Sequence, residues 1–399
     1  MTLTLNMKFL ISFCNAAAFG NLANQYILGV YDWEKHDLKY VALPFNKSQN
    51  FHPVQGSTGL IRNETQYFVV TQSKTPQLFC LDSDFNVIDS KLLELVKDPH
   101  SLALHESCIY IVSTGDNSIV RVPFDQTFGN EEVYWKFDDT SVDKIHVNSI
   151  AFWGGDLIVS CFGNPVSSNV IRSGFIKNVS SDVMLIEGIR EPHNLICYND
   201  YLYVLESITG CLYKISPTYD IELIKEFIGY ARGLALFEDE VFIVRNARRK
   251  LSRQLGGKKH IPLADTTANI CEWKHSWICR SKLGEETYKK KNFTAFAFEI
   301  YDIVPLISLP SDVNLVNEVI NQRILDYEEI CANMQQQLKV LHEAKAESKN
   351  EIVKMKSQLD ETQSELEHTK SQLHQAWEEL NRTKLMLPQT QEQPELSNS

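Results

Sequence analysis

Apolar residues in this chain fall into short runs of strand length, separated by polar turns, and the runs repeat. Five segments align: GSTGLIRNETQYFVVTQS (56–73), DPHSLALHESCIYIVSTGD (98–116), HVNSIAFWGGDLIVSCFG (146–163), EPHNLICYNDYLYVLESIT (191–209) and YARGLALFEDEVFIVRNAR (230–248). Each joins a short apolar strand, a polar turn of about four residues and a second strand rich in Val, Ile, Leu and aromatics, the pattern of a β-hairpin. Third strands follow in most units, as in SIVRV (118–122) and CLYKI (211–215), and then a more variable outer strand. Three to four strands recurring at about forty residues predict the blades of a propeller.

The run KFLISFCN (8–15) aligns with the second strands DLIVSCFG and LYVLESIT. The chain therefore enters its first blade one strand late, and FTAFAFEIYDIVPL (293–306) is placed to supply the missing innermost strand. Such closure removes the free sheet edges. Residues 8–20 also imitate a short signal peptide, with one basic residue, an apolar run and small residues after it. The match to blade strands is the better account. The last unit is longer than the others, and residues 256–281 read as a loop returning into a third strand at 268–279.

From Asn317 the composition turns to Gln, Glu, Lys and Leu, with neither Gly nor Pro before Pro388. One heptad frame fits. Ile324, Cys331, Leu338, Ile352, Leu359, Leu366, Leu373, Leu380 and Leu387 occupy one core position, and Ile320, Tyr327, Met334, Leu341, Met355 and Ala376 the other. A strict seven-residue repeat predicts a coiled coil, because a helix lying on a globular surface drifts out of it. Lys345 and Ser348 interrupt the seam, and Thr362, Thr369 and Thr383 weaken one side of it. The expected architecture is all-β, a six-bladed β-propeller (7–306), followed after a linker (307–316) by a long α-helical coiled coil (317–387) and a disordered tail (388–399). The coil predicts self-association or pairing with another helix.

A formal net charge of −12 and the lack of a basic stripe argue against nucleic acid as a partner. No apolar run is long enough for a spanning helix, so no membrane partner is expected. The nine cysteines form no C-x-x-C pair, and several fall in strand-like runs, which suggests a reducing, cytoplasmic setting.

In a propeller the inner strands line the central channel, so equivalent positions converge on one ring. Anchored on Leu60, Leu102, Ile150, Leu195 and Leu234, the residues two positions earlier are Thr58, His100, Asn148, His193 and Arg232, all polar. The second strands offer Ser113, Ser160, Glu206 and Arg245, with Glu206 and Arg245 a possible pair. The candidate ligand-binding residues are thus His100, Asn148, His193, Glu206, Arg232 and Arg245, a set suited to an anionic or sugar-like small ligand. The aligned positions carry too few carboxylates for calcium, and neither a G-x-S-x-G elbow nor a phosphate loop is present, so no metal and no cofactor is expected.

The motifs PHN followed by YLYVLESITGCLYKI, then GYARGLALFEDEVFIVRNARRK, GGKKHIPLAD and EIYDIVPL resemble an uncharacterised bacterial β-propeller family defined as a domain of unknown function. The resemblance covers roughly residues 7–306 and implies the fold and a soluble bacterial setting, with no established reaction. The coiled coil is an addition to it. Three functions fit the residues: a ligand- or protein-binding propeller made multivalent by its coiled coil, a hydrolase or related enzyme acting on a sugar-related or lactone-like substrate at the channel, or a purely structural protein whose channel is filled.

Overall fold

The computed structural model describes residues 7–14, 26–43, 54, 56–140, 142–163, 173–227, 229–246, 276–293, 300–306, 315–316 and 319–386. The insertion at 256–275, the tail at 388–399 and most of the linker lie outside them. The chain divides into two units, residues 1–320 and 321–399.

The first unit is a six-bladed β-propeller. Five blades follow one another as up-and-down sheets of at least four strands, their innermost strands being Gly56–Arg62, Pro99–His105, Val147–Trp153, Pro192–Tyr198 and Tyr230–Phe237. These are blades 2 to 6. Blade 1 is built from both ends of the unit: Ile300–Pro305 pairs with Lys8–Phe13, which continues into Leu28–Asp32 and Asp37–Val41. The run that imitates a signal peptide therefore includes a blade strand, closed on one side by the chain's return. Leu315–Val316, inside the expected linker, adds a short outer strand against Tyr40 and Val41. In blade 6 the third strand spans Trp277–Lys282, later than the expected 268–279.

Turn chemistry explains the hairpins. His105 pairs with Cys108, Trp153 with Asp156 and Tyr198 with Tyr201, so these loops hold two residues instead of about four. Both residues of each loop (Glu106 and Ser107, Gly154 and Gly155, Asn199 and Asp200) have positive φ, the conformation whose twist matches that of the flanking strands.

Six apolar clusters hold the ring, one between each pair of neighbouring blades. Phe9, Trp33, Phe242 and Phe293 join blades 6 and 1, and Leu60, Tyr67, Leu28 and Val41 join blades 1 and 2. Alternate residues of each strand face opposite neighbours, so every blade is buried on both sides and the strands read as nearly continuous apolar runs.

Each inner strand breaks register at the same level, by one extra residue against its neighbour. The breaks fall at Thr58, at His100–Ser101, at Asn148, at 194–195, at 232–233 and at Tyr301–Asp302. A bulge bends the strand and re-aims its side chains. Six in register turn one level of the propeller toward the axis.

The second unit is one helix, Val319–Met386. Ile352, Met355, Leu359, Leu366, Leu373 and Leu380 are all more than half exposed on it. Among the described residues no helix is long and apolar enough to cross a membrane.

Candidate functional site

The bulges gather the polar positions that the repeat alignment singled out. His100, Asn148, His193 and Arg232 all sit at or beside their strand's break. Three of them belong to a closed circuit of ring and guanidinium contacts around the axis. His100 meets His146 (ring centroids 5.0 Å apart), His146 meets Phe162 (4.4 Å), Phe162 meets His193 (5.1 Å) and His193 meets Tyr230 (5.8 Å). The Arg232 guanidinium lies 5.3 Å from the centroids of both Tyr230 and Tyr301, and Tyr301 meets His100 at 6.0 Å. Thr58 stands apart, because its hydroxyl donates to the Pro99 carbonyl and ties blade 2 to blade 3.

The two histidines are held alike. Asp98 and Glu191, each two residues earlier, have left-handed φ angles of 52° and 48°. Their carbonyl oxygens lie 3.0 Å from Nδ1 of His100 and His193 respectively. Ser207 Oγ also approaches Nδ1 of His193, at 2.6 Å. Burial pushes His100 down to about 4, with Asp98 opposing the effect and the neighbouring His146 and Arg232 adding to it. Burial and then Arg232 hold His193 well below the ordinary imidazole range. Both are therefore neutral near pH 7. Burial likewise raises the phenols of Tyr230 and Tyr301.

Three buried polar atoms at this level have no hydrogen-bond partner among the described residues: Asn148 Nδ2, His193 Nε2 and Tyr301 Oη. Buried polar atoms are normally satisfied, so these three leave hydrogen-bonding capacity at one level of the ring. Solvent reaches the ring, since the His100 side chain is 12% exposed and Tyr230 and Arg232 are half-buried.

Beside the circuit, Asp302 ties three blades together. Its Oδ2 accepts from Leu60 N and its Oδ1 from Asn194 Nδ2, both at 3.1 Å, while Asp302 N donates to Ser12 Oγ. Asn194 Nδ2 also donates to the Arg232 carbonyl at 2.7 Å. Burial raises the Asp302 carboxyl to about 7, against the opposing pull of these hydrogen bonds and of Arg232.

The second-strand set lies one strand further from the axis. Glu206 takes its ion pair from Arg190, with Nε to Oε1 at 2.6 Å, and not from Arg245. Arg245 is 1% exposed and packs over Gly229, where an added Cβ would sit 2.8 Å from its Nη2. Ser113 binds Asp116 and the Lys97 backbone. Ser160 proves to be one residue out of step. Cys161 faces Val147 as Ser113 faces Pro99, Glu206 faces Pro192 and Arg245 faces Ala231. A one-residue slip reverses the face, and the Ser160 hydroxyl instead meets that of Ser149 at 2.5 Å.

Tyr301 and Asp302 escaped the repeat alignment although the closing strand was recognised. Anchoring Ile303 on Leu234 would have placed Tyr301 opposite Arg232 and Asp302 opposite Gly233. His146 and Tyr230 stand two residues before Asn148 and Arg232, where Asp98 and Glu191 stand in other blades. Phe162 has no counterpart pattern. Among the described residues no group of three or more His, Cys, Asp or Glu side chains is arranged to hold a metal ion.

A family model described as a domain of unknown function, DUF4915, matches residues 96–308, more than half of the chain. The chain belongs to the DUF4915 family. The match begins just before the inner strand of blade 3 and runs through the closing strand, so it takes in every residue of the circuit. No curated protein matches the sequence. Among solved structures, this DUF4915 chain is similar to a chain in the crystal structure of a nidogen/laminin complex (9% identity, 75% of this chain and 98% of that one, TM-score 0.49). It is also similar to a protein of unknown function from Bacteroides caccae (8% identity, 75% and 99%, TM-score 0.49) and to a streptogramin B lyase (12% identity, 76% and 89%, TM-score 0.44).

Proposed function

We propose that this propeller is a binding module that takes a small anionic or polyhydroxylated ligand at the channel ring, and that its helix makes it multivalent by pairing with a second copy. The observation that carries the first part is the convergence of three buried, unpartnered polar atoms, on Asn148, His193 and Tyr301, with the Arg232 guanidinium. His100 completes the ring, and Glu206 and Arg245 support it from the second strand. Leaving such groups unsatisfied costs roughly 1–3 kcal/mol each, a cost that a matching ligand would remove.

The second part rests on the exposed stripe at Ile352, Leu359, Leu366, Leu373 and Leu380, spaced by seven residues and from 53% to 73% exposed. A strict heptad stripe is complementary to another of its kind. Linked sites then gain avidity without any new contact.

Thermal shift of the full-length protein against a panel of small carboxylates, sugar acids and phosphates tests the channel site. A ligand at a hundred times its Kd stabilises by about 2.7 kcal/mol. The shift, measured from each variant's own unliganded melting temperature, is expected to vanish in His193→Ala and to shrink in Tyr301→Phe, which deletes only the unpartnered hydroxyl, with both variants still showing a cooperative melt. A panel without any shift, or one whose shifts survive both substitutions, overturns the reading.

A further inference from the structure

We infer that the C-terminal helix docks on a second copy of itself in parallel and in register, so that the two chains enter the pair at the same end. The inference deepens the self-pairing of the helix proposed above and rests on it.

The first step is what flanks and fills the seam. With Ile352 and the leucines that follow it at heptad position a, Glu351, Gln358, Glu365 and Gln372 fall at g. Lys356, Gln363, Lys370 and Trp377 fall at e, on the other flank. All are exposed on the single helix. Thr362 and Thr369 take position d, where a hydroxyl is a liability. Each donates to a carbonyl one turn back, Thr362 to Gln358 at 2.9 Å and Thr369 to Glu365 at 2.8 Å. Their burial in a seam therefore strands no donor.

The second step is orientation. In a parallel pair the g residue of one helix faces the e residue five positions later in its partner. Glu351 then meets Lys356 and Glu365 meets Lys370, each twice by symmetry, with Gln358 against Gln363 between them. The same spacing recurs in the sequence at Glu379 and Lys384. In an antiparallel pair g faces g and e faces e, so the first flank matches only Glu or Gln with its own kind and the second sets lysine toward lysine. Opposite charges never meet, and like charges repel.

The third step is register. Sliding one parallel helix by a heptad sets Glu351 against Gln363, Gln358 against Lys370 and Glu365 against Trp377. The alternation of charged and amide residues thus penalises the slip. It also sets the polar step at Ser348 against Met355, whereas in register that step faces itself. Lys370 Nζ lies 2.9 Å from Glu367 Oε1 in its own helix. That pair is exposed, and an ammonium with three donors is still open to the partner's Glu365.

A helix of 68 residues is about 100 Å long. Parallel pairing brings the two Val319 ends together, where an antiparallel pair separates them by about that length. Two ring sites tethered at one end can engage ligands presented on a single surface.

Disulfide trapping in the full-length protein tests the orientation. The background carries Cys197→Ser and Cys331→Ser, which remove an exposed thiol and one at a core position of the heptad frame. Met355→Cys and Ala376→Cys are added to it separately and oxidised. These positions lie three heptads apart, about 30 Å, so an antiparallel pair lets at most one of them meet itself. Both are expected to give covalent dimers, against a blank without the added cysteine. Glu351→Lys with Glu365→Lys is expected to weaken association at least tenfold in sedimentation equilibrium, and the further changes Lys356→Glu and Lys370→Glu to restore it. Cross-linking at one position or at neither in a protein that sediments as a dimer overturns the parallel register and leaves self-pairing standing. So does a Glu351→Lys, Glu365→Lys variant that associates as tightly as the parent. A parent that sediments as one chain overturns both.

Discussion

Replacing Asp302 with Asn tests whether this carboxyl is buried at a cost. Asp302 is 7% exposed, and burial raises it from 3.8 to about 7. An acid raised in this way keeps its proton in the folded chain while the unfolded chain ionises. Its burial therefore costs nothing below about pH 4, costs progressively more as pH rises toward 7, and levels off above that. At about 1.4 kcal/mol per pH unit the full cost is roughly 4 kcal/mol, of which about 2.5 kcal/mol accrues between pH 5 and pH 8. Asn at 302 keeps an acceptor for Leu60 N but sets an amide nitrogen against Asn194 Nδ2, which loses one hydrogen bond, about 1 kcal/mol. The variant should thus gain on the parent by about 2.5 kcal/mol as pH rises from 5 to 8, whatever its offset at the acid end. Urea denaturation of both full-length proteins, followed by tryptophan fluorescence, measures the difference at each pH. A stability difference that does not change with pH, or that moves the other way, refutes the placement of Asp302 in a dry, proton-holding site.

Gly233→Ala should destabilise the propeller by roughly 1–3 kcal/mol in the same assay, because its Cβ would stand 2.9 Å from Val244 Cγ2 and 3.1 Å from the Tyr301 carbonyl oxygen. Leu359→Glu combined with Leu366→Glu should reduce the sedimenting mass of the full-length protein to that of one 45.7 kDa chain while the propeller's melting temperature stays unchanged. A parent protein already sedimenting at that mass refutes self-pairing of the helix. Glu206→Gln should cost roughly 1–2 kcal/mol by leaving Arg190, itself 35% exposed, without its ion pair.

The blades were legible because each hairpin carries a local signature, two apolar strands about a polar turn, and because repetition strengthens weak local signals. Closure by residues 300–305 was legible for the same reason, since Lys8–Phe13 matches a second strand and leaves a first one missing. The bulges were not. An extra residue in one strand is a property of pairing between strands, and Ser57, Thr58 and Gly59 carry no mark of which lacks an opposite number. The misplacement of Ser160 follows directly, because counting back from the end of an apolar run cannot detect a one-residue slip. The expected pairing of Glu206 with Arg245 failed for a related reason. Arg190 precedes the aligned segment, and alignment of repeats is blind to residues outside the repeat. His100, His193 and Arg232 were found by their shared offset from the anchors, whereas the aromatic links of the circuit, Phe162 above all, differ from blade to blade.

The return of the chain to its own first blade gives the site a temporal order. Tyr301 and Asp302 lie on the strand that shuts the ring, so the circuit has a gap until the last part of the propeller has been synthesised and has docked against Lys8–Phe13. A nascent or clipped chain ending before residue 300 could form several blades and still lack two of the groups around the axis. Completion of the ring and completion of the fold are thus one event, and a molecule bound at the ring would act as a latch on the seam where the two ends of the propeller meet.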